Sequence, residues 1–158
     1  MFQDYKDLLS AFHAHGVKYL IVGAYAVIYH AQPRFTKDID LFIKADPANA
    51  QATYAALEAF GAPLKGIRPG DFAERGSFFR FGHDPHGFDI LPDIPGVDFE
   101  TAWERRVEGV IDPKSGQKAF FISAPDLIAA KLAAGRPQDI ADAAALREAA
   151  EARLRKNS

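Results

Sequence analysis

Cysteine is absent from the sequence, which excludes disulfide cross-links and thiolate metal ligands. No apolar run approaches the roughly 18 residues that a membrane-spanning helix needs, so we expect no membrane association. A formal net charge of -2 also excludes the broad basic field of non-specific nucleic-acid binders, and a nucleic-acid partner would have to meet a local patch. The first residues, "MFQDYKDLLSAFHAHG", are too acidic and too helical for a signal peptide, which predicts a cytoplasmic protein.

The material that is present suits one compact core, since 48% of the 158 residues are hydrophobic. Helical and strand patterns alternate without repeats, which places the chain in the α/β (α+β) class as a single domain over residues 1–158. We expect a core over about residues 1–122 and a C-terminal helical segment over about residues 123–156. Residues 62–76 mix glycine, proline and basic residues, which predicts an irregular loop.

Spacing and turn residues predict the separate elements. Helices are expected over residues 2–12, in "AYAVIYHA", in "DPANAQATYAALEAFG", and after Ser123 and Pro137. Strands are expected in "VKYLIVG", "TKDIDLFIK" and "KAFFIS", and as a hairpin of "SFFRF" with "GFDIL".

The segment "RFTKDIDLFI" places two aspartates inside a strand pattern. In a strand Asp38 and Asp40 share one face, about 6 to 7 Å apart at their Cα atoms, while the apolar residues between and after them face the core. Their repulsion raises a pKa or requires a cation such as Mg²⁺, which takes carboxylate oxygens together with substrate phosphates. The alternative is a solvated strand end, or an ion pair with Lys37 or Arg34.

Two neighbouring features favour the metal site. The strand before the acid pair ends at Gly23, and Gly23-Ala24 opens a short helix whose free N–H groups suit phosphate oxygens. Asp89, in "FDIL", faces away from the core and supplies a third carboxylate, which would complete a site for two metal ions. Asp93 has the same strand parity and is the alternative third acid, although Pro92 is expected to end the strand first.

Several other polar residues are candidates for the same site. Arg34 suits charge neutralisation of a leaving pyrophosphate, or an ion pair with Asp38 or Asp40. Thr36 is expected to order the turn before the strand, and Arg80 is placed to point across the sheet toward the site.

The C-terminal segment adds three candidates. Lys131 falls on the apolar stripe of its helix, so it either reaches a triphosphate or the acid cluster, or extends past the stripe to water. Arg136 and Asp139 either contact ligand or cap helix ends. His83 and His86 have a spacing that could serve zinc, but the turn residues around them favour an ordinary hairpin.

The stretch "GAYAVIYHAQPRFTKDIDLFI" resembles the signature of the polymerase-beta-like nucleotidyltransferase superfamily. The stretch "KLAAGRPQDIADAAAL" is similar to the C-terminal segment of the minimal, AbiEii-like nucleotidyltransferases of toxin–antitoxin systems. The resemblance implies a mixed β-sheet flanked by helices with C-terminal helices, a nucleoside triphosphate donor, and Mg²⁺ or Mn²⁺ as cofactor. The implied reaction is transfer of a nucleotidyl group with loss of pyrophosphate.

Carried over by position, the resemblance makes Asp38 and Asp40 the metal-binding pair. Asp89 becomes the third carboxylate, which can also act as base for the acceptor hydroxyl. Gly23 and Ala24 match the phosphate-binding dipeptide, but Ala24 replaces the usual second glycine or serine, which removes any hydroxyl contact to phosphate.

The resemblance leaves the acceptor open among a tRNA end, a protein hydroxyl and a small molecule. The competing interpretation is a non-catalytic module of the same fold that binds a nucleotide or a cognate partner protein. For an active enzyme, the nucleotide contacts are expected from Gly23, Ala24, Arg34, Thr36 and Lys131, with further contributions from Arg136, Asp139 and Arg80.

Overall fold

The structure, a computed structural model, describes residues 1–36, 38–83 and 86–157. The helices are α1 (Gln3–Ala14), α2 (Gly23–His30), α3 (Pro47–Phe60), α4 (Phe99–Glu104), α5 (Ala124–Ala134) and α6 (Pro137–Lys156). The strands are β1 (Tyr19–Val22), β2 (Ile39–Ile43), β3 (Phe79–Phe81), β4 (Phe88–Leu91), β5 (Val107–Asp112) and β6 (Gln117–Phe121).

The strands form one mixed sheet in the order β3-β4-β2-β1-β6-β5. β2 pairs antiparallel with β1 and parallel with β4, and β1 also pairs parallel with β6. Two antiparallel pairs, β3 with β4 and β5 with β6, complete the sheet at its two sides. This architecture confirms the expected α/β fold with a mixed sheet flanked by helices.

The two faces of the sheet differ in what covers them. Ile39 and Leu41 of β2 lie on the same face as Phe88 and Ile90 of β4, and all four are buried. Phe60 of α3 packs edge-on against Phe88, so α3 and the α1 helix beside it cover this face. The opposite face carries the remaining β2 and β4 side chains, and α2 packs there against α5 and α6.

Local sequence signals explain where the helices begin and end. Asp46 caps α3 by accepting a hydrogen bond from Asn49 N at 2.7 Å, and Gly61 ends the helix at φ 97°, a left-handed conformation that suits glycine. Ser123 caps α5 by accepting from Asp126 N, and Gly135 ends it at φ 70°. The helices predicted in "DPANAQATYAALEAFG" and after Ser123 are therefore confirmed.

Three parts of the structure differ from the expectation. The predicted irregular loop over residues 62–76 contains a short 3-10 helix, Pro69–Ala73, whose Phe72 is completely buried. Helix α4 and strand β5 were not predicted, because charged residues interrupt their apolar patterns. β2 begins at Ile39, so Asp38 lies one residue ahead of the strand.

Among the described residues, no helix is both long and apolar enough to cross a membrane.

Candidate active site

The parallel pairing of β2 with β4 brings the predicted acids together. Asp40 is the register partner of Asp89, so their side chains project from the same face at neighbouring positions. Asp38 lies just before β2, and its side chain is 19% exposed. The sequence predicted three acids at one site, and the sheet register places them there.

Gly23 lets the first turn of α2 pass close to the acids. Its φ is +67°, and a Cβ built at this position would overlap Asp40 Oδ2. Gly87 has the same relation to Asp38, since a Cβ there would lie 2.8 Å from Asp38 Oδ1. The backbone is therefore packed directly against two of the three carboxylates, and a side chain at either position would have to displace the neighbouring carboxylate.

Arg80 of β3 is the cation that faces the acids. It is the register partner of Asp89 and donates to it twice, from Nε to Oδ1 at 2.9 Å and from Nη2 to Oδ2 at 3.1 Å. Arg80 Nη2 also lies 3.7 Å from Asp38 Oδ2, while the arginine side chain is 60% exposed. The expectation that Arg80 points across the sheet toward the site is confirmed.

The arrangement of the three acids opposes ionisation of Asp40. Burial, the charge and hydrogen bond of Asp89, and the charge of Asp38 raise the pKa of Asp40 from 3.8 to about 7, against a smaller opposing effect of Lys131. A cation bound nearby would lower the pKa of Asp40 and so favour its ionised form.

The acids open into a cleft of about 570 Å³. Its walls combine the acids with the start of α2, with the segment before β2 and with arginines from three parts of the chain. The lining residues are Ala24, Arg34, Phe35, Thr36, Asp38, Asp40, Arg80, Asp89, Leu91 and Arg136. Five of the residues proposed from the sequence for nucleotide contact line this cleft, namely Ala24, Arg34, Thr36, Arg80 and Arg136, whereas Gly23, Lys131 and Asp139 are not among its lining residues.

The carboxylates suit a hard divalent ion by their chemistry. Three carboxylates supply the oxygen ligands that Mg²⁺ prefers, and burial together with the charges of Asp89 and Asp38 raises the pKa of Asp40, which a bound cation would lower again. Within the part of the chain that the structure describes, no group of three or more acidic or histidine side chains is already arranged as a set of metal ligands. Arg80 donates one hydrogen bond to each oxygen of Asp89, and each oxygen keeps a second lone pair with which it could ligate a metal ion.

A second charged network joins the cleft to the C-terminal helices. Arg34 Nη1 donates to Asp142 Oδ1 of α6 at 2.6 Å, a partner that the sequence did not suggest. Lys131 Nζ lies 3.0 Å from Asp142 Oδ2 and 3.5 Å from Asp139 Oδ1, and its side chain is only 14% exposed. The alternatives in which Lys131 extends to water and Arg34 pairs with Asp38 or Asp40 are therefore replaced by pairs with the acids of α6. Lys131 is not among the lining residues of the cleft, and its contact with a triphosphate stays a prediction. The missed residue is Asp142, and its signal was its position three residues after Asp139.

Arg136 and Asp139 act as a helix cap. Asp139 is 2% exposed and accepts from Arg136 N at 3.2 Å and from Arg136 Nε at 2.7 Å. The capping alternative is confirmed for Asp139. The Arg136 side chain remains 77% exposed and also lines the cleft, so it stays available to a ligand.

The remaining candidates are placed as follows. Thr36 Oγ1 donates to Asp38 O at 3.3 Å, which confirms its role in the turn before β2. Asp93 accepts from Gly76 N and lines a different pocket, so Asp89 is the third acid. His86 pairs with Asp4 in the hairpin region. Lys37, Asp84 and Pro85 lie outside the described residues.

Comparisons with known proteins agree with this geometry. The fold is similar to the crystal structure of the lincosamide antibiotic adenylyltransferase LnuA in its lincomycin-bound form, with a TM-score of 0.57 and 19% sequence identity. The match covers 93% of this chain and 96% of that one, and at this identity it shows the fold alone. A comparison with curated protein sequences finds no match. Residues 1–150 match the sequence model of a family described as nucleotidyltransferases of unknown function (DUF6036), and the chain therefore belongs to this nucleotidyltransferase family.

Proposed function

We propose that this protein transfers a nucleotidyl group from a nucleoside triphosphate to a hydroxyl acceptor in an Mg²⁺-dependent reaction. The observation that carries the proposal is the cleft itself, where three carboxylates from one sheet face lie beside the glycine turn that opens α2. Family membership supports the reaction class. The contacts of individual residues follow from their positions in the cleft.

Asp38, Asp40 and Asp89 would hold the divalent metal. When bound, such an ion orients the triphosphate and stabilises charge on the attacking and leaving oxygens. The chain's own contribution is to hold Asp40 and Asp89 in register on β2 and β4, with Asp38 directly ahead of β2, and to reduce the contact of Asp40 with water.

The phosphates would lie between the start of α2 and the arginines. Ala24 lines the cleft at the start of α2, where the first backbone N–H groups of a helix can donate to phosphate oxygens, and Ala24 retains its N–H although it lacks a hydroxyl. Arg34 and Arg136 line the same cleft, and each offers N–H groups beyond those used on α6. These cations would balance the charge that develops on departing pyrophosphate.

The chemical step joins the acceptor oxygen to the α-phosphorus and breaks the bond from the α-phosphorus to the bridging oxygen of pyrophosphate. The acceptor hydroxyl loses its proton to a carboxylate, for which Asp89 is the candidate because it lies at the cleft surface on β4. Pyrophosphate departs with the electron pair of the broken bond. Arg80 would then remain as the neighbouring cation of Asp89.

A small molecule is the first acceptor class to test. LnuA, whose fold is similar, is a lincosamide antibiotic adenylyltransferase with lincomycin bound in its crystal structure. A tRNA end and a protein hydroxyl remain the other candidates, and the AbiEii-like grouping with a cognate partner protein stays a prediction.

The test uses triphosphates labelled at either the α- or the γ-phosphorus, with Mg²⁺ and separate pools of hydroxyl-bearing small molecules, total tRNA and lysate protein. We expect α-label to enter one acceptor pool and γ-label to appear only in pyrophosphate. An Asp40→Asn variant controls for contaminating enzymes and should lose both signals. Transfer of γ-label to an acceptor would contradict the proposal, and so would nucleotide binding without transfer, which would identify a binding module.

A further inference from the structure

Phe35 is an aromatic side chain exposed at the mouth of the cleft. It is 81% exposed, although most phenylalanines of the chain contribute to the core. It lines the same cleft as Asp38, Asp40 and Asp89, together with Arg34 and Arg136. Covering an apolar ring of this size with a ligand is energetically favourable, so the position of Phe35 beside the acids indicates a ligand contact.

The residues on both sides of Phe35 are held in place. Arg34 is anchored to Asp142 at 2.6 Å, and Thr36 Oγ1 donates to Asp38 O at 3.3 Å. Arg34 and Thr36 are half-buried, whereas the ring between them faces outward. Phe35 is therefore presented by a segment that is tied to α6 on one side and to the start of β2 on the other. Such a platform loses little conformational freedom when a ligand stacks on it.

The charge around Phe35 suits one kind of ligand. Arg34 and Arg136 provide cations for phosphates in the same cleft, and the backbone at Ala24 opens toward it. A ligand that carries phosphates on one side and a planar, polar-edged ring on the other would match both features. Stacking on Phe35 does not distinguish between bases, because every nucleobase has an aromatic face.

We propose that Phe35 is the stacking platform for the nucleobase of the triphosphate donor. This inference rests on the proposed function and deepens it, because it assigns a residue to the base rather than to the phosphates or the metal. It also predicts that the protein accepts several bases, with any preference coming from other contacts.

The experiment compares nucleotides with a ligand that lacks the ring. Dissociation constants are measured by calorimetry with Ca²⁺ for ATP, GTP, CTP, UTP and inorganic tripolyphosphate, using wild type, Phe35→Ala and Phe35→Tyr. Phe78→Ala is the matched control, because Phe78 is 65% exposed but does not line the cleft. Thermal unfolding of each variant verifies that it is folded.

We expect Phe35→Ala to weaken binding of all four nucleotides about 5- to 150-fold, the range for stacking of one base on an aromatic ring. Tripolyphosphate affinity should not change, Phe35→Tyr should bind nucleotides like wild type, and Phe78→Ala should have no effect. Nucleotide affinities that Phe35→Ala leaves within twofold would overturn the inference, and so would an equal loss for tripolyphosphate. If wild type binds neither nucleotides nor tripolyphosphate, the proposed function fails together with the inference.

Discussion

At the residue scale, the site depends on a glycine that carries no functional group. Gly23 has a left-handed φ and lies so close to Asp40 that no side chain fits between them. The sequence predicted phosphate binding at Gly23, but the contact with Asp40 depends on the packing of α2 against β2, which a sequence pattern does not show. Gly23 thus allows α2 to begin at this point and leaves room for the carboxylate of Asp40.

A Gly23→Ala substitution should therefore remove activity as well as stability. Gly16→Ala is the matched control, since Gly16 has φ +65° and no atom lies within 4 Å of its added Cβ. We expect Gly16→Ala to lower the free energy of unfolding by about 1–2 kcal/mol, the cost of the left-handed conformation, and to retain nucleotide binding. Gly23→Ala should lose more stability and should lose triphosphate binding, as measured by denaturant titration and calorimetry. Equal effects of the two substitutions would contradict the close packing at Asp40.

Asp40 should make stability depend on pH in the absence of divalent metal. Because its pKa is raised from 3.8 to about 7, the folded state binds more protons than the unfolded state between these values. Its contribution is therefore fully present below about pH 4, and it is lost as the pH rises to about 7 and above. We expect the stability of wild type relative to Asp40→Asn to decrease between pH 4.5 and pH 8 in denaturant titrations. Parallel pH profiles for the two proteins would show that Asp40 ionises normally.

At the element scale, the sequence was most informative where a signal is local. The caps at Asp46 and Ser123 and the strand pattern of β2 are each contained in a few neighbouring residues, and their predicted elements are confirmed. The pairing of β2 with β4 joins segments separated by α3, the loop that follows it and β3, so the register of Asp40 with Asp89 is not contained in any local pattern. Side-chain partners were harder still, as Asp142 shows, because they depend on how α5 and α6 pack.

The network between α5, α6 and the segment before β2 should stabilise the fold. Lys131 contacts two buried acids, Asp139 and Asp142. Burial opposes ionisation of Asp142, but its hydrogen bond to Lys131 and its other polar contacts hold its pKa below the usual range. We expect Lys131→Met to lower the free energy of unfolding by about 1–3 kcal/mol, because each acid keeps a second partner in Arg136 or Arg34.

Denaturant titrations of Lys131→Met, Lys118→Met and the Lys131→Met/Asp142→Asn double variant test this network. Lys118 is an exposed lysine of β6, and its substitution should have little effect. The double variant should regain part of the stability, since it no longer buries an acid that lacks its lysine. If Lys131→Met were as stable as Lys118→Met, Lys131 would contribute no more to the free energy of unfolding than an exposed lysine, which would contradict a stabilising network.

At the scale of the whole molecule, the two faces of the sheet differ, because one packs in the hydrophobic core and the other carries the candidate site. One face is covered by α1 and α3 over buried apolar residues, and the other carries the acids and the charged network. The α/β class could be predicted because hydrophobic patterning identifies the elements that pack on the first face, whereas the mixed sheet was implied by the family resemblance. The second face depends on charge compensation among distant segments, and a ligand that supplies cations should therefore stabilise the molecule as a whole.

The measurement that tests the central claim most directly is a Mn²⁺ titration of the metal-free protein, followed by electron paramagnetic resonance of the free ion. It is made with and without tripolyphosphate, for wild type, Asp40→Asn and Asp93→Asn, the last being an acid outside the cleft. We predict that wild type and Asp93→Asn bind Mn²⁺, that tripolyphosphate strengthens this binding, and that Asp40→Asn abolishes the effect. Mn²⁺ binding that is the same in Asp40→Asn and wild type would contradict a metal site at the three carboxylates.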